Sequence, residues 1–402
     1  MLVNPTSSDF LVVGAGVIGV SIARELKRRY AGTVTVLEKE SAPGRHASGR
    51  NSGVLHAGVY YKAGTLKARL CVEGNRHMRE YCRMKNLPLN AKGKVIVTRN
   101  SADLPALDEL YARSQANGVR VERIDSSMLK DIEPYAKTLD RALYVRDTAV
   151  VDPERVMSAL VDDAKQEKID FRCDDTWRAR SGDAIARTSS GDIPYGHFVN
   201  CAGLYADTIA HQFGVGTEYR ILPFRGQFHR LRPESRVTVL GNIYPVPDLR
   251  NPFLGVHFTR TPSGDITVGP SALPLLGREQ YGGVSGARFR DGLAMISYLL
   301  RLWGHNRDHF RSTVWQELRK LSRRGFYREA APLVRDLIPS DLIPGKRPGI
   351  RAQLVNTRTA ELLNDFLVES GPRSTHILNA VSPAFTCSAP FAAHVVDHIR
   401  DN

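Results

Sequence analysis

Apolar positions in this chain change their period several times, and each change predicts an element. An unbroken run from Phe10 to Val13 reads as a short buried strand, and Val20 to Arg29 has helical spacing. A second β-favouring run from Thr33 to Leu37 ends on Glu38. Strand, helix and strand in this order predict a parallel βαβ unit. The segment "FVNCAGLYA", residues 198–206, is another apolar run, broken by a small-residue turn at Ala202 and Gly203. Near the end, "THILNAVSPAFTCSAPFAAHVVDHIR" predicts a strand, a turn and a helix beginning at Ala384 or Ser388.

Other stretches have a different texture. "GKVIVTR" and "RALYVRD" lie between residues 86 and 146, and "RGQFHRLR", "FLGVHFTR" and "DITVGPSA" between 216 and 345. Short β-rich runs separated by Pro and Gly predict a mixed or antiparallel sheet. The expected fold is therefore α/β: a discontinuous Rossmann-type dinucleotide-binding domain from residues 1–85, 147–215 and 346–402, plus a second α+β substrate-binding domain from 86–146 and 216–345.

The loop after the first strand carries the first chemistry. Gly14-Ala-Gly16-Val-Ile-Gly19 is a dinucleotide fingerprint, and Glu38 follows Gly19 at the distance expected of a carboxylate that grips a ribose diol. Gly14 permits a tight turn, Gly16 lets a pyrophosphate approach the backbone, and Gly19 lets helix and strand pack closely. Glu38 disfavours a 2′-phosphate, although Lys39 and Arg45 lie nearby in sequence. No second nucleotide motif accompanies this one. A track of small residues, Ser41 to Gly49, then leads into "RNSGVLHAGVYY", residues 50–61, with His56, Tyr60 and Tyr61. An extended FAD, its adenosine at Glu38 and its ring system at that turn, explains the track.

Bulk composition narrows the rest. A chain of 402 residues, 42% hydrophobic, buries a large core, more readily as two domains than one. No apolar run reaches the length of a membrane-spanning helix, and the N-terminus lacks a basic region ahead of an apolar one, so the expected compartment is the cytoplasm. Five cysteines without a C-x-x-C pair or a metal-like spacing predict reduced thiols and no metal. The formal charge of +14 favours anionic ligands, while its spread along the chain and the lack of a recognition module argue against nucleic acid. Its densest part, residues 301–330, has apolar residues at 299, 303, 310, 314, 318 and 321, which predicts two solvated basic helices packed on a domain. A cationic face of this kind also suits peripheral contact with an anionic membrane.

"GAGVIG", "LEKE", the block from His46 to Tyr61, "LGVHFTR", "RAQ" at 351–353 and "NAVSPAFTCSAP" from 379 together resemble the D-amino-acid-oxidase-type flavoproteins. Within them the chain is similar to the L-2-hydroxyglutarate oxidases and dehydrogenases, over essentially its whole length. The resemblance implies noncovalent FAD, oxidation of L-2-hydroxyglutarate to 2-oxoglutarate, and electron delivery to oxygen or a quinone. It implies FAD contacts at Gly14, Gly16, Gly19, Glu38, Lys39, Ser48, Ser52, Gly53, His56 and the Ser382-Pro383-Ala384 segment, and agrees with Ala202 and Gly203 as a second close approach. The chain departs from the pattern at Thr148 and Ala149, where such proteins tend to carry a glycine. An amino-acid, amine or glycerol-3-phosphate oxidase on the same fold is the alternative.

Oxidation of a 2-hydroxy acid needs a base for the hydroxyl proton and cations for carboxylates. His257 is the expected base, because strand alternation separates it from Leu254, Val256 and Phe258; His56 is its rival. Arg351 is the expected partner of the carboxylate beside the reacting carbon, with Arg225, Arg260, Lys62 and Lys67 for the distal one. Tyr60 or Tyr61 would donate to a substrate oxygen. The C-terminal helix would present free N–H groups to the flavin, with Cys387 in its first turn.

Overall fold

The computed structural model describes residues 7–249, 254–282, 289–345 and 347–399. The chain divides into two compact units, one of residues 1–50, 153–222 and 351–402, the other of 51–152 and 223–350. The β-rich stretch at 253–260 begins on Phe253, which lies outside the described residues.

In the first unit the runs read from sequence become the strand Ser8–Val13, the helix Val17–Arg29 and the strand Val34–Leu37. Both strands are parallel, with Val12 opposite Val36, and all four residues of the second are buried. Buried β-branched residues on both faces are what a central parallel strand requires. The sheet extends through Asp170–Arg172 on one side and through Asp192–Asn200 and Ser374–Asn379 on the other, all parallel. Asp192–Asn200 changes role along its length: its start pairs antiparallel with Ile185–Thr188, its end parallel with the first strand. The helices Val17–Arg29 and Ala384–Ile399 pack together. On the sheet, Leu11, Phe198 and Phe213 share a core with Trp177 and Ile209.

The second unit is built on a mixed eight-stranded sheet in the order 342–344, 229–231, 266–269, 257–260, 242–245, 94–97, 141–145, 121–125. Asn242–Pro245 and Lys94–Val97 pair parallel; the neighbours are antiparallel. One face packs Val95, Ile243, Val256 and Phe258, the other Ile96, Leu143, Tyr244 and Tyr60. Residues 51–85 and 147–152, expected in the dinucleotide-binding part, belong here. Val54–Leu55 pairs with Ala149–Val151, and Asn75 donates to the carbonyls of Leu55 and His56. Such long-range pairings leave no local mark in sequence.

The basic region forms three helices rather than two, Phe289–His305, Phe310–Arg319 and Arg323–Ala330, because Ser322 starts a new one by accepting from the Gly325 N–H. The predicted inward stripe is also corrected: Phe310 is buried, but Trp303, Leu318 and Leu321 are exposed, and Met295 and Leu302 face inward instead. No helix of the described residues is long and apolar enough to cross a membrane.

Candidate functional site

The nucleotide loop is shaped by close backbone approaches that only glycine permits. Gly14 has φ +104°, and a Cβ there would lie 2.4 Å from the Cys201 carbonyl oxygen. A Cβ at Gly19 would lie 1.9 Å from the Gly14 carbonyl oxygen. Gly16 caps the helix, and the Ser48 hydroxyl accepts from the N–H of Val17 at 2.9 Å. The N–H groups of Ile18 and Gly19 precede the first intrahelical bond, Val20 to Gly16, so they are donors suited to a pyrophosphate.

Glu38 is held for its task. Its Oε2 accepts from the Ala15 N–H at 2.9 Å and its Oε1 from the Glu40 N–H at 3.0 Å. The residue is only 8% exposed, at the end of the second strand, where a ribose diol is expected. Lys39, by contrast, binds Glu40 and contacts His46 Nε2 at 2.9 Å, so its charge is spent on a neighbouring acid. The turn at Ala202 and Gly203 is braced from below. Asn200 accepts from the Ala202 N–H through Oδ1 and, through Nδ2, donates to the Ala206 carbonyl and to His376 Nδ1. Ser382-Pro383 leads into the helix that starts at Ala384, with Ser382 exposed and Cys387 buried. The small-residue loop, helix N-terminus and buried carboxylate fit an FAD adenosine diphosphate.

In the second unit, His257 is buried, 5% exposed, and its ring stacks on Tyr244. Its Nδ1 lies 2.9 Å from the Gly255 carbonyl, and a carbonyl only accepts. Nδ1 therefore carries the proton and Nε2 is the free lone pair. Burial, partly offset by the Gly255 bond, pushes its pKa down to about 3, so the ring is neutral at physiological pH. Lys94, which the sequence reading missed as a functional residue, adjoins this stack. Its Nζ sits 4.4 Å from the Tyr60 ring centroid and 4.8 Å from that of Tyr244. Ring faces replace part of the lost hydration, yet burial still pushes Lys94 down to about 7. Burial also raises the Tyr60 phenol well above its usual value, so it remains a donor.

His56 is buried, its own carbonyl fixed by Asn75 and the Cys71 thiol. Gly53, with φ +71°, passes its carbonyl to Val151, and Ser52 precedes it, half-buried. Tyr61 is half-buried, with Lys67 Nζ 6.0 Å from its ring centroid, and Lys62 is exposed. Arg260 donates one N–H to the Val239 carbonyl at 3.1 Å. Arg225 differs: its Nε is buried and has no hydrogen-bond acceptor among the described residues. Arg351 is half-buried on the strand Gly349–Asn356, in the first unit. Thr148 and Ala149 are fully buried, with Ala149 opposite Leu55, so the departure from the expected glycine adjoins His56 in the strand register. The structure thus gathers His257, Tyr60, Tyr244 and Lys94 into one cluster.

A model of the FAD dependent oxidoreductase family, DAO, matches residues 9–396. The chain is 36% identical to the L-2-hydroxyglutarate dehydrogenase of Salmonella houtenae over 400 residues, covering 98% of this chain and 93% of that protein. It is 36% identical to the mitochondrial L-2-hydroxyglutarate dehydrogenase of Caenorhabditis elegans, covering 96% and 91%. Among solved structures, it resembles the FAD-bound, dithionite-reduced L-α-glycerophosphate oxidase of Mycoplasma pneumoniae, with TM-score 0.77, 20% identity, and coverage of 98% and 95%.

Proposed function

Because the chain belongs to the FAD dependent oxidoreductase (DAO) family, we propose that it oxidises L-2-hydroxyglutarate to 2-oxoglutarate. The first unit holds the dinucleotide, through Gly14, Gly16, Gly19, Glu38 and the turns at Ala202-Gly203 and Ser382-Pro383-Ala384. Bound FAD supplies the acceptor for the hydride that leaves the α-carbon. The second unit carries His257 and Lys94, the acid–base residues, and the cation Arg225.

The observation that carries this reading to a mechanism is the state of His257: neutral, with Nδ1–H given to Gly255 and Nε2 left as an acceptor. Nε2 takes the hydroxyl proton of the substrate. Tyr244 fixes the plane of the ring by stacking, and the Gly255 carbonyl keeps the proton on the far nitrogen. As the imidazole takes up the proton, the same carbonyl supports the charge. Lys94 adds positive charge to the cluster in its ammonium form, which favours an anionic substrate over a zwitterionic amino acid. Arg225 pairs with the distal carboxylate of the substrate, and Tyr60 and Tyr61 donate to substrate oxygens.

Electrons pass from the protein to oxygen or to a quinone. A lipid-soluble quinone brings with it peripheral contact between the protein and an anionic membrane. Anaerobic visible spectroscopy tests the core of the proposal. L-2-hydroxyglutarate should bleach the flavin, while D-2-hydroxyglutarate, glycine and glycerol 3-phosphate should not; bleaching by one of the last two instead would move the chain to another oxidase of the same fold. Reoxidation by oxygen compared with a soluble quinone analogue then identifies the acceptor.

A further inference from the structure

The helix Phe289–His305 carries two apolar stripes, and only one faces its own unit. Met295 and Leu302 are buried, but Leu293, Ile296, Leu300 and Trp303 all lie exposed, Leu300 at 65%. Their spacing of three and four residues puts these four on one face. The next helix, Phe310–Arg319, repeats the pattern: Trp315 is 58% exposed, and Leu318, one turn on, and Leu321, in the turn just past the helix end, are exposed as well. Trp303 and Trp315 meet edge to face with centroids 6.4 Å apart, which joins the two stripes into one patch. Seven large apolar side chains set together are not scattered surface residues, and a contiguous patch of this kind marks an interaction site.

Charge around the patch is predominantly positive. Between residues 289 and 330 the chain holds nine Arg and Lys against four acids, Asp291, Asp308, Glu317 and Glu329. Glu317 is buried, where it accepts from the Ala272 N–H and pairs with buried Lys320 at 2.6 Å. Arg311, Arg319, Arg323, Arg324 and Arg328 are exposed. Arg311 lies 5.9 Å from the Trp303 ring centroid and donates to the Trp303 carbonyl, so the cationic rim touches the apolar patch.

We propose that this face docks on an anionic lipid bilayer, with the tryptophan and leucine side chains entering the headgroup boundary and the arginines meeting lipid phosphates and carboxylates. Aromatic and aliphatic tips within an arginine rim are the composition of an interfacial helix surface. Charge complementarity selects this occupant over a second copy of the chain, because a two-fold contact would bring two arginine rims together in a poorly hydrated seam. The inference deepens the peripheral membrane contact proposed above by naming its surface, and it does not depend on which 2-hydroxy acid is oxidised.

The test is co-sedimentation of the FAD-loaded full chain with vesicles of phosphatidylcholine alone and of phosphatidylcholine mixed with phosphatidylserine. The wild type should sediment with the mixed vesicles only, and rising salt should release it. Two double variants, Trp315→Ser with Leu318→Ser and Arg319→Glu with Arg324→Glu, should each partition about tenfold or more weakly. Both should keep the flavin spectrum and its bleaching by L-2-hydroxyglutarate, which shows that they are folded and separates failure of this surface from failure of the oxidation reading. The proposal is overturned if the wild type stays in the supernatant with anionic vesicles, or if both variants sediment as it does. Loss of a wild-type dimer on Trp315→Ser substitution, without vesicle binding by the wild type, would assign the face to a second copy instead.

Discussion

The imidazole of His257 lies against the phenol ring of Tyr244, with centroids 3.8 Å apart and planes 20° from parallel. The contact follows from register: Ile243 pairs with Phe258 across antiparallel strands, which sets Tyr244 opposite His257. A ring clamped in this way presents Nε2 in one direction. His257→Gln should therefore slow anaerobic flavin reduction by L-2-hydroxyglutarate about 100-fold or more while the half-saturating concentration stays within about threefold. Stopped-flow absorbance separates the two quantities, and a reduction rate close to the wild type would remove His257 from the role of base.

Lys94 gives a stability signature with a definite sign. Its pKa is about 7 in the folded chain against the ordinary 10.5, with burial as the main cause. Between those values the unfolded chain binds the extra proton, so stability rises with pH across that window. Below pH 7 both states are charged and the folded state bears the whole cost of a buried ammonium. Lys94→Met should remove this slope: its advantage over the wild type should be larger at pH 6.5 than at pH 9, by on the order of 2–3 kcal/mol. Urea unfolding at the two pH values measures it, and an equal difference at both would mean that Lys94 does not titrate in this range.

The nucleotide half of the fold was legible because its signals are local. Gly14, Gly16, Gly19 and Glu38 lie within one strand-helix-strand segment, and each is where its spacing placed it. Alternation along "FLGVHFTR" also separated His257 from Val256 and Phe258, which pack into the core on the other face. Lys94 and Tyr244 were not legible. They meet through a parallel pairing of strands some 150 positions apart, Ile96 opposite Tyr244, and a lysine that opens an apolar run reads alone as a solvated strand end. The bond from Arg260 to the Val239 carbonyl was equally hidden, because that carbonyl belongs to a loop that no periodicity marks.

Acid should loosen the dinucleotide unit through His376. Burial, with a smaller contribution from His197, pushes it down to about 3, and its Nδ1 accepts from Asn200, which also holds the Ala202 turn. A folded value below the ordinary 6.5 means that this residue's contribution is complete above pH 6.5 and is lost as pH falls toward 3. His376→Gln, which keeps a donor and an acceptor but does not titrate, should flatten the loss of stability between pH 6.5 and pH 4 by on the order of 2–3 kcal/mol. His257 and His197, also depressed to about 3 and about 4, leave a residual slope. Denaturant midpoints across this range decide the matter, and an unchanged slope would show that His376 does not drive it.

Arg225 provides the sharpest test of the anionic substrate. Its Nε is buried and meets no acceptor among the described residues, an arrangement that costs stability unless an anion binds there. A guanidinium grips a carboxylate with two parallel N–H donors, whereas an ammonium offers a point charge. Arg225→Lys keeps the charge and loses the fork, so it should raise the half-saturating concentration of L-2-hydroxyglutarate about tenfold or more. The limiting rate of flavin reduction should change by less than about threefold, because the bond to a distal carboxylate is the same before and during hydride loss. Substrate-dependent reduction rates give both numbers. A fall in the limiting rate with unchanged half-saturation would place Arg225 beside the reacting carbon, and no change in either would return it to a purely structural role.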